Sequence, residues 1–418
     1  MGVSRSTSLF SMNESAVTGD RRNDYLNPYL VTATVARSAT EAAGPALLVS
    51  TIAVLGSAAT GSYLVACLTA SAAIAGPIIG AVVDRSERPV RAFRLAMGAM
   101  AIGLACLALF LAHIPFWLAI ALAVVTGLGY PAITGAWSAQ IPHLVAESRL
   151  QLGYSRDAAT YSVAAVVAPP LATALVALAA TAPLWMPVAL LIAAIVTLRW
   201  VPLKSNAPRS DGEGAASLIE NLKAGLGAMA RIPALRRTVV ITTIGFAGTA
   251  AIFVAAPLIS QKMTGGLAFT GVILAAFAIG GLLSALAVAK YHVQRADRAV
   301  IVFTFLSGLT LALVGLAPTP WLVVIAAFVM GITEPPLVSG MFQVRARESE
   351  GSVRAQVFTS SASLRMTAFA LATAVCGALV ATGIWAVIGF GVLLHFAGLI
   401  AGLLMGPHLP PRRVWVRR

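Results

Sequence analysis

The chain reads as a succession of apolar blocks of roughly twenty residues joined by short polar connections. An α-helix rises about 1.5 Å per residue, so about twenty residues cover the roughly 30 Å of hydrocarbon in a bilayer. Inside lipid the backbone must satisfy its own hydrogen bonds, which blocks of this length do as helices. Apolar windows place spans near 28–55, 62–84, 91–112, 115–139, 153–179, 183–201, 237–260, 267–289, 299–317, 320–342, 356–382 and 385–406. Hydrophobic residues make up 59% and charged residues 11%, against about 45–50% and about 25% in soluble domains. The fold class expected is an all-α membrane protein of about twelve transmembrane helices.

The formal charge of +14 from 29 basic and 15 acidic residues would suggest a nucleic-acid partner in a soluble protein. Its placement says otherwise. The connections after the odd-numbered spans hold one basic residue, Lys262, whereas the opposite set holds nearly all the rest. That set includes Arg85, Arg88, Arg91 and Arg94, then Lys204 to Arg237, then Lys290, Arg295 and Arg298, then Arg345, Arg347 and Arg354, and the tail Arg412 to Arg418. By the positive-inside rule these loops are cytoplasmic, so a multi-pass protein of the plasma (inner) membrane with both termini in the cytoplasm is expected, and no nucleic-acid partner. Met1 to Asp24 carry no apolar core before a small-residue cleavage site, so no cleaved signal peptide is expected. Cys67, Cys106 and Cys376 fall inside spans at separations that match no metal motif, so neither a disulfide nor a metal is expected. The five histidines are scattered, and His395, within a span, reads as a packing residue.

Five segments follow: a cytoplasmic tail over 1–27, a six-helix half over 28–201, a Pro-, Ser- and Gly-containing linker over 202–236, a second six-helix half over 237–406 and a basic tail over 407–418. Leu218, Ile219, Leu222 and Leu226 in the linker stand at helical spacing beside Glu220 and Lys223, the pattern of a short interfacial helix. Sliding the chain on itself by 204 residues superposes Gly44 on Gly248, Gly61 on Gly265, Gly76 on Gly280, Trp117 on Trp321, Leu118 on Leu322, Gly127 on Gly331 and Pro131 on Pro335. The two halves are therefore parallel repeats.

The second span closes on Gly80-Ala81-Val82-Val83-Asp84-Arg85-Ser86-Glu87-Arg88. This segment resembles the signature loop between the second and third helices of the major facilitator superfamily, Gly-x-x-x-Asp-Arg/Lys-x-Gly-Arg/Lys. Gly80, Asp84, Arg85 and Arg88 match, and Glu87 departs from the usual Gly. Together with the repeat, the resemblance covers essentially the whole chain. It implies a secondary transporter with its substrate site between the halves near mid-membrane, and a conformational latch at Gly80, Asp84, Arg85 and Arg88 against the start of the eleventh helix, with Arg354 and Arg365 as candidate neighbours. Asp84 aligns with Val288 in the second half, so one copy of the signature is intact. Ala168-Pro169-Pro170 in the fifth span resembles, with Ala in place of Gly, the Gly-Pro element of antiporters in that superfamily; a packing kink explains it equally.

Ionisable groups inside spans are costly and mark function by default. Arg37 and Glu41 lie four apart on one face of the first span, either as a local ion pair or with Glu41 exchanging a proton or holding a cationic substrate. Arg156 and Asp157 begin the fifth span, as coupling candidates or as interfacial residues. Glu334 precedes Pro335-Pro336, where the helix is expected to break, and is the second candidate. No Lys follows a Gly, so a phosphate-binding loop is absent, as are hydrolase and zinc-protease motifs. The expectation is a non-enzymatic carrier without cofactor, a monomer in contact with membrane lipids. It is expected to move a small molecule on the proton gradient by efflux in exchange for protons, with symport uptake, a channel and a membrane-embedded enzyme as alternatives.

Overall fold

The computed structural model describes residues 25–405 apart from 85, 87, 139, 146–148, 204–225, 292 and 350. The described residues form helices and turns, with no strand among them. The spans are α1 Leu26–Leu55, α2 Ala58–Asp84, α3 Pro89–Phe110, α4 Phe116–Leu128 continued by a π-helical turn Ala132–Ala136, α5 Leu150–Ala174 and α6 Ala182–Thr197. They continue with α7 Pro233–Thr264, which turns at Thr249, then α8 Phe269–Tyr291, α9 Ala296–Leu316, α10 Pro320–Glu348, α11 Gly351–Leu379 and α12 Ile384–Leu404. Eleven are long and apolar enough to cross a membrane, and the 27-residue α2 supplies the twelfth helix. Several helices outrun the apolar windows, α10 to Glu348 and α11 from Gly351, because a helix continues where water replaces lipid. The interfacial helix expected at 218–226 lies, except for Leu226, outside the described residues.

Local chemistry sets the ends of the helices. Prolines 89, 183, 233 and 320 stand in the first turn of α3, α6, α7 and α10, where the missing N–H has no partner to lose. Gly56 closes α1 in the left-handed conformation at φ 66°, its N–H donating to the Ile52 carbonyl at 2.9 Å.

Side chains segregate inside out relative to a soluble protein. On α3, Phe93, Met97, Met100, Leu104 and Leu107 are fully buried, while Leu95, Ile102 and Leu109, at heptad spacing, are 74%, 65% and 56% exposed. A stripe of large apolar residues on the outer face suits a lipid solvent.

The chain divides into two compact units, residues 1–210 with 260–275, and 211–259 with 276–418. In the first, α1 packs on α5 and α6, α2 on α4, and α3 on α6. In the second, α9 packs on α10 and α12, and α7 on α11 and α12. Each unit brings one helix pair to backbone contact through the same repeated glycine. A Cβ at Gly127 would lie 2.1 Å from the Leu68 carbonyl oxygen, and one at Gly331 would lie 1.9 Å from that of Phe277. Trp117 and Trp321 each take the second position of their helix, 69% and 77% exposed, as aromatic residues at a membrane interface do. The Gly61 and Gly265 pair is not equivalent: Gly61 lies within α2, whereas Gly265 forms the turn before α8 at φ 72°.

Candidate functional site

The interior of the first unit is organised by a buried ion pair. Arg37 Nη1 donates to Asp157 Oδ1 at 2.7 Å and to the Asp157 carbonyl at 2.9 Å, and Nη2 reaches Asp157 Oδ2 at 3.2 Å. Nη2 also donates to Ser138 Oγ at 2.9 Å, and a further bond from Nη1 goes to the Thr160 hydroxyl. Asp157 accepts from Tyr29 Oη at 2.8 Å and from Ser138 Oγ at 2.7 Å. The guanidinium lies 3.6 Å from the Tyr161 ring centroid. Trp137 lids the cluster, stacked on Tyr29 at 5.4 Å and edge-on to Phe93 at 5.0 Å.

Of the two readings of Arg37 and Glu41, the local ion pair is not formed. On a helix an i, i+4 pair is favoured with the acid first, the reverse of the order here. Asp157 instead offers a bidentate carboxylate on the facing helix. Its neighbour Arg156 points outward and is exposed, so the adjacent residues separate as their helical angles require.

Glu41 is left without an ion-pair or hydrogen-bond partner among the described residues. It is half buried, in the middle of α1. Pro45 follows four residues later, so the Glu41 carbonyl also lacks its helical donor. Tyr130 of α4 interacts electrostatically with Glu41, and its hydroxyl donates to the Thr40 carbonyl.

The π turn of α4 explains how one helix serves both places. Tyr130 and Ser138 are eight residues apart, which would separate them by about 80° on a regular helix. One extra residue in the turn cuts this to about 20°, so both face α1.

In the second unit, α10 runs unbroken through Pro335 and Pro336, so the break expected beside Glu334 does not occur. The prolines still free the carbonyls of Gly331 and Ile332. Ser284 of α8 donates to the Ile332 oxygen at 2.7 Å, which holds the helix together there. Glu334 interacts electrostatically with Arg365 of α11. The Arg365 guanidinium sits 4.2 Å from the Phe246 ring centroid, its Nη1 is 3.5 Å from Met341 Sδ, and its Nε finds no acceptor. Below Met341 lies Arg345, 1% exposed, with Nε and Nη2 both without an acceptor.

The one-sided charge pattern groups Arg345 with the cytoplasmic charges, whereas the structure buries it. The available signal was its spacing of eleven residues from Glu334, which returns to the same helix face. Tyr29, Ser138 and Thr160 carried no such signal, since their partners are distant in sequence.

Of the expected latch, Gly80 and Asp84 end α2, Arg88 is exposed at the start of α3 with its N–H on Ser86 Oγ at 3.2 Å, and Arg85 and Glu87 lie outside the described residues. The described interactions of Arg365 are those with Glu334, Phe246, Met341 and Arg345.

The profile of the Major Facilitator Superfamily matches residues 29–361. A comparison with curated proteins finds no match in sequence. Among solved structures the chain is similar to a nucleoside transporter, NupG, at 14% identity over 92% of this chain and 100% of that one, with a TM-score of 0.71. It is similar also to a peptide transporter POT in complex with sulfate (14%, 92% and 94%, TM-score 0.69). A POT family transporter in complex with 5-aminolevulinic acid matches at 13% identity over 91% and 95% of the two chains, TM-score 0.68. At these identities the likeness is one of fold.

Proposed function

The chain belongs to the Major Facilitator Superfamily, and on that basis we propose that it is a proton-coupled exporter of a small molecule in which Glu41 carries the proton. Membership makes it a multi-pass membrane carrier and not an enzyme. The observation that carries the proton assignment is the isolation of Glu41. An acid at mid-span costs roughly 2.5–3.5 kcal/mol on insertion scales, so a packing position would not keep one. Arg37 is committed to Asp157 and does not neutralise it.

The mechanism follows from this separation of roles. The Arg37–Asp157 pair and the Tyr130 bond fix α1 to α5 and α4, so Glu41 changes charge on a rigid frame. Protonated, it is neutral and tolerates a site closed to water; ionised, it favours a hydrated one. Only a group whose interaction differs between two states shifts their balance, and Glu41 is such a group. Gly80, Asp84, Arg85 and Arg88 act as the latch of one state. Export by exchange with protons is the direction supported by Ala168-Pro169-Pro170 and the acid of α1. Both termini face the cytoplasm of a plasma-membrane protein, as the one-sided Lys and Arg distribution supports.

The test is proton movement in proteoliposomes loaded with a pH-sensitive dye and challenged with lipophilic cations, neutral drugs, sugars and aromatic anions. A saturable, solute-dependent proton flux is expected for at least one class. Saturable solute flux with no proton movement would remove the coupling, and flux that does not saturate would indicate a channel.

A further inference from the structure

Among the described residues, the interior of the second unit holds more positive charge than its acid neutralises. Away from the ion cluster in which Arg347 pairs with Asp297 and with the half-buried Glu348, the described interior carries Glu334, Arg345 and Arg365. Glu334 balances one guanidinium at most. Arg345 is 1% exposed, so its Nε and Nη2, which no protein atom accepts, cannot turn to water as an arginine on a rim would. Arg365 repels it electrostatically, and the Arg365 Nε is also unclaimed. Two neighbouring guanidiniums, linked through Met341 one turn from Arg345 and each with donors to spare, suit an anion, since a guanidinium binds a carboxylate or phosphate in bidentate fashion.

The walls beside this pair are aromatic. Phe246 carries the Arg365 guanidinium on its face and lies 5.3 Å from Phe369, which is 5.9 Å from Phe253, which is 6.0 Å from Phe277. All four rings are half buried and keep accessible surface. From this juxtaposition we infer that the second unit binds a small organic anion, its carboxylate, sulfonate or phosphonate between Arg365 and Arg345 and its aromatic or apolar body along the phenylalanine row. This names the substrate class and rests on the transporter reading above.

The experiment measures equilibrium binding to the full chain in phosphatidylcholine nanodiscs, which requires no transport. The probes are naphthalene-2-carboxylate, naphthalene-2-sulfonate, benzoate and phenylphosphonate, with naphthalene-2-carboxamide as the neutral match. At least one anion is expected to bind saturably and at least tenfold more tightly than the carboxamide. That affinity should fall at least tenfold in Arg365→Gln and in Arg345→Gln, with Arg365→Lys intermediate. Absence of saturable binding by all four anions, or equal binding of the carboxamide, overturns the inference without recourse to any variant. Loss of binding when the nanodisc lipid is exchanged for phosphatidylglycerol assigns the guanidiniums to a lipid headgroup and overturns it too. Binding without any saturable flux in proteoliposomes would instead leave the site standing and remove the transporter reading.

Discussion

Asp157→Asn tests the frame on which the first unit is built. The substitution keeps the side-chain shape but removes the charge opposite Arg37, which is fully buried. The carboxylate now meets Arg37 at 2.7 and 3.2 Å and also accepts from Tyr29 and Ser138 at 2.8 and 2.7 Å, so the loss is not confined to one contact. Removing one partner of a buried pair costs about 3–5 kcal/mol, because the remaining charge is left uncompensated. At about 2 °C per kcal/mol for larger domains, the melting temperature should fall by about 6–10 °C. Intrinsic fluorescence of the detergent-solubilised protein reads this directly, since Trp137 stacks on Tyr29 at the edge of the cluster. The double variant Arg37→Met/Asp157→Leu, with both charges gone, should recover most of the loss. The reasoning is refuted if Asp157→Asn melts within about 1 °C of wild type, or if the double variant is no more stable than the single one.

Gly331→Ala and Gly127→Ala should each lower the yield of folded protein and cost about 1–3 kcal/mol or more by overpacking, while Gly389→Ala, with nothing within 4 Å of the added carbon, should be neutral; size-exclusion profiles after heating compare them. Asp84→Asn should slow turnover while leaving substrate affinity intact, because a latch biases one state and does not touch substrate; unchanged turnover would remove it from the mechanism. Cysteine placed at Ser57 or Thr382 should react with an impermeant thiol reagent from outside intact cells, and cysteine at Ser210 should not; labelling at 210 from outside would invert the orientation.

The spans were legible because lipid imposes a length and a composition on each of them, and Trp117/Trp321 and Gly127/Gly331, matched in sequence, take like positions in the two units. The site was legible only in part. Arg37, Glu41, Asp157, Glu334 and Arg365 stand out as charges inside apolar blocks, but which charge meets which depends on helix neighbours more than a hundred residues apart, as for Arg37 and Asp157. The local pattern pointed to Arg37 with Glu41 and was overridden by a better acceptor on α5. The π turn of α4 carries no clear sequence mark, yet it turns Ser138 towards Arg37. Glu334 beside two prolines predicted a break, whereas the helix continues and Ser284 on another helix satisfies one of the carbonyls the prolines free.

The most direct test of proton coupling through Glu41 is the pair of fluxes in Glu41→Gln proteoliposomes: accumulation driven by an imposed pH gradient, and exchange of substrate at equal pH on both sides. With the proton carrier gone and the Arg37–Asp157 frame intact, gradient-driven accumulation should vanish while exchange persists at a rate comparable to wild type. A Glu41→Gln protein that still concentrates substrate against its gradient would contradict the account and move the proton to another acid, with Glu334 first in line.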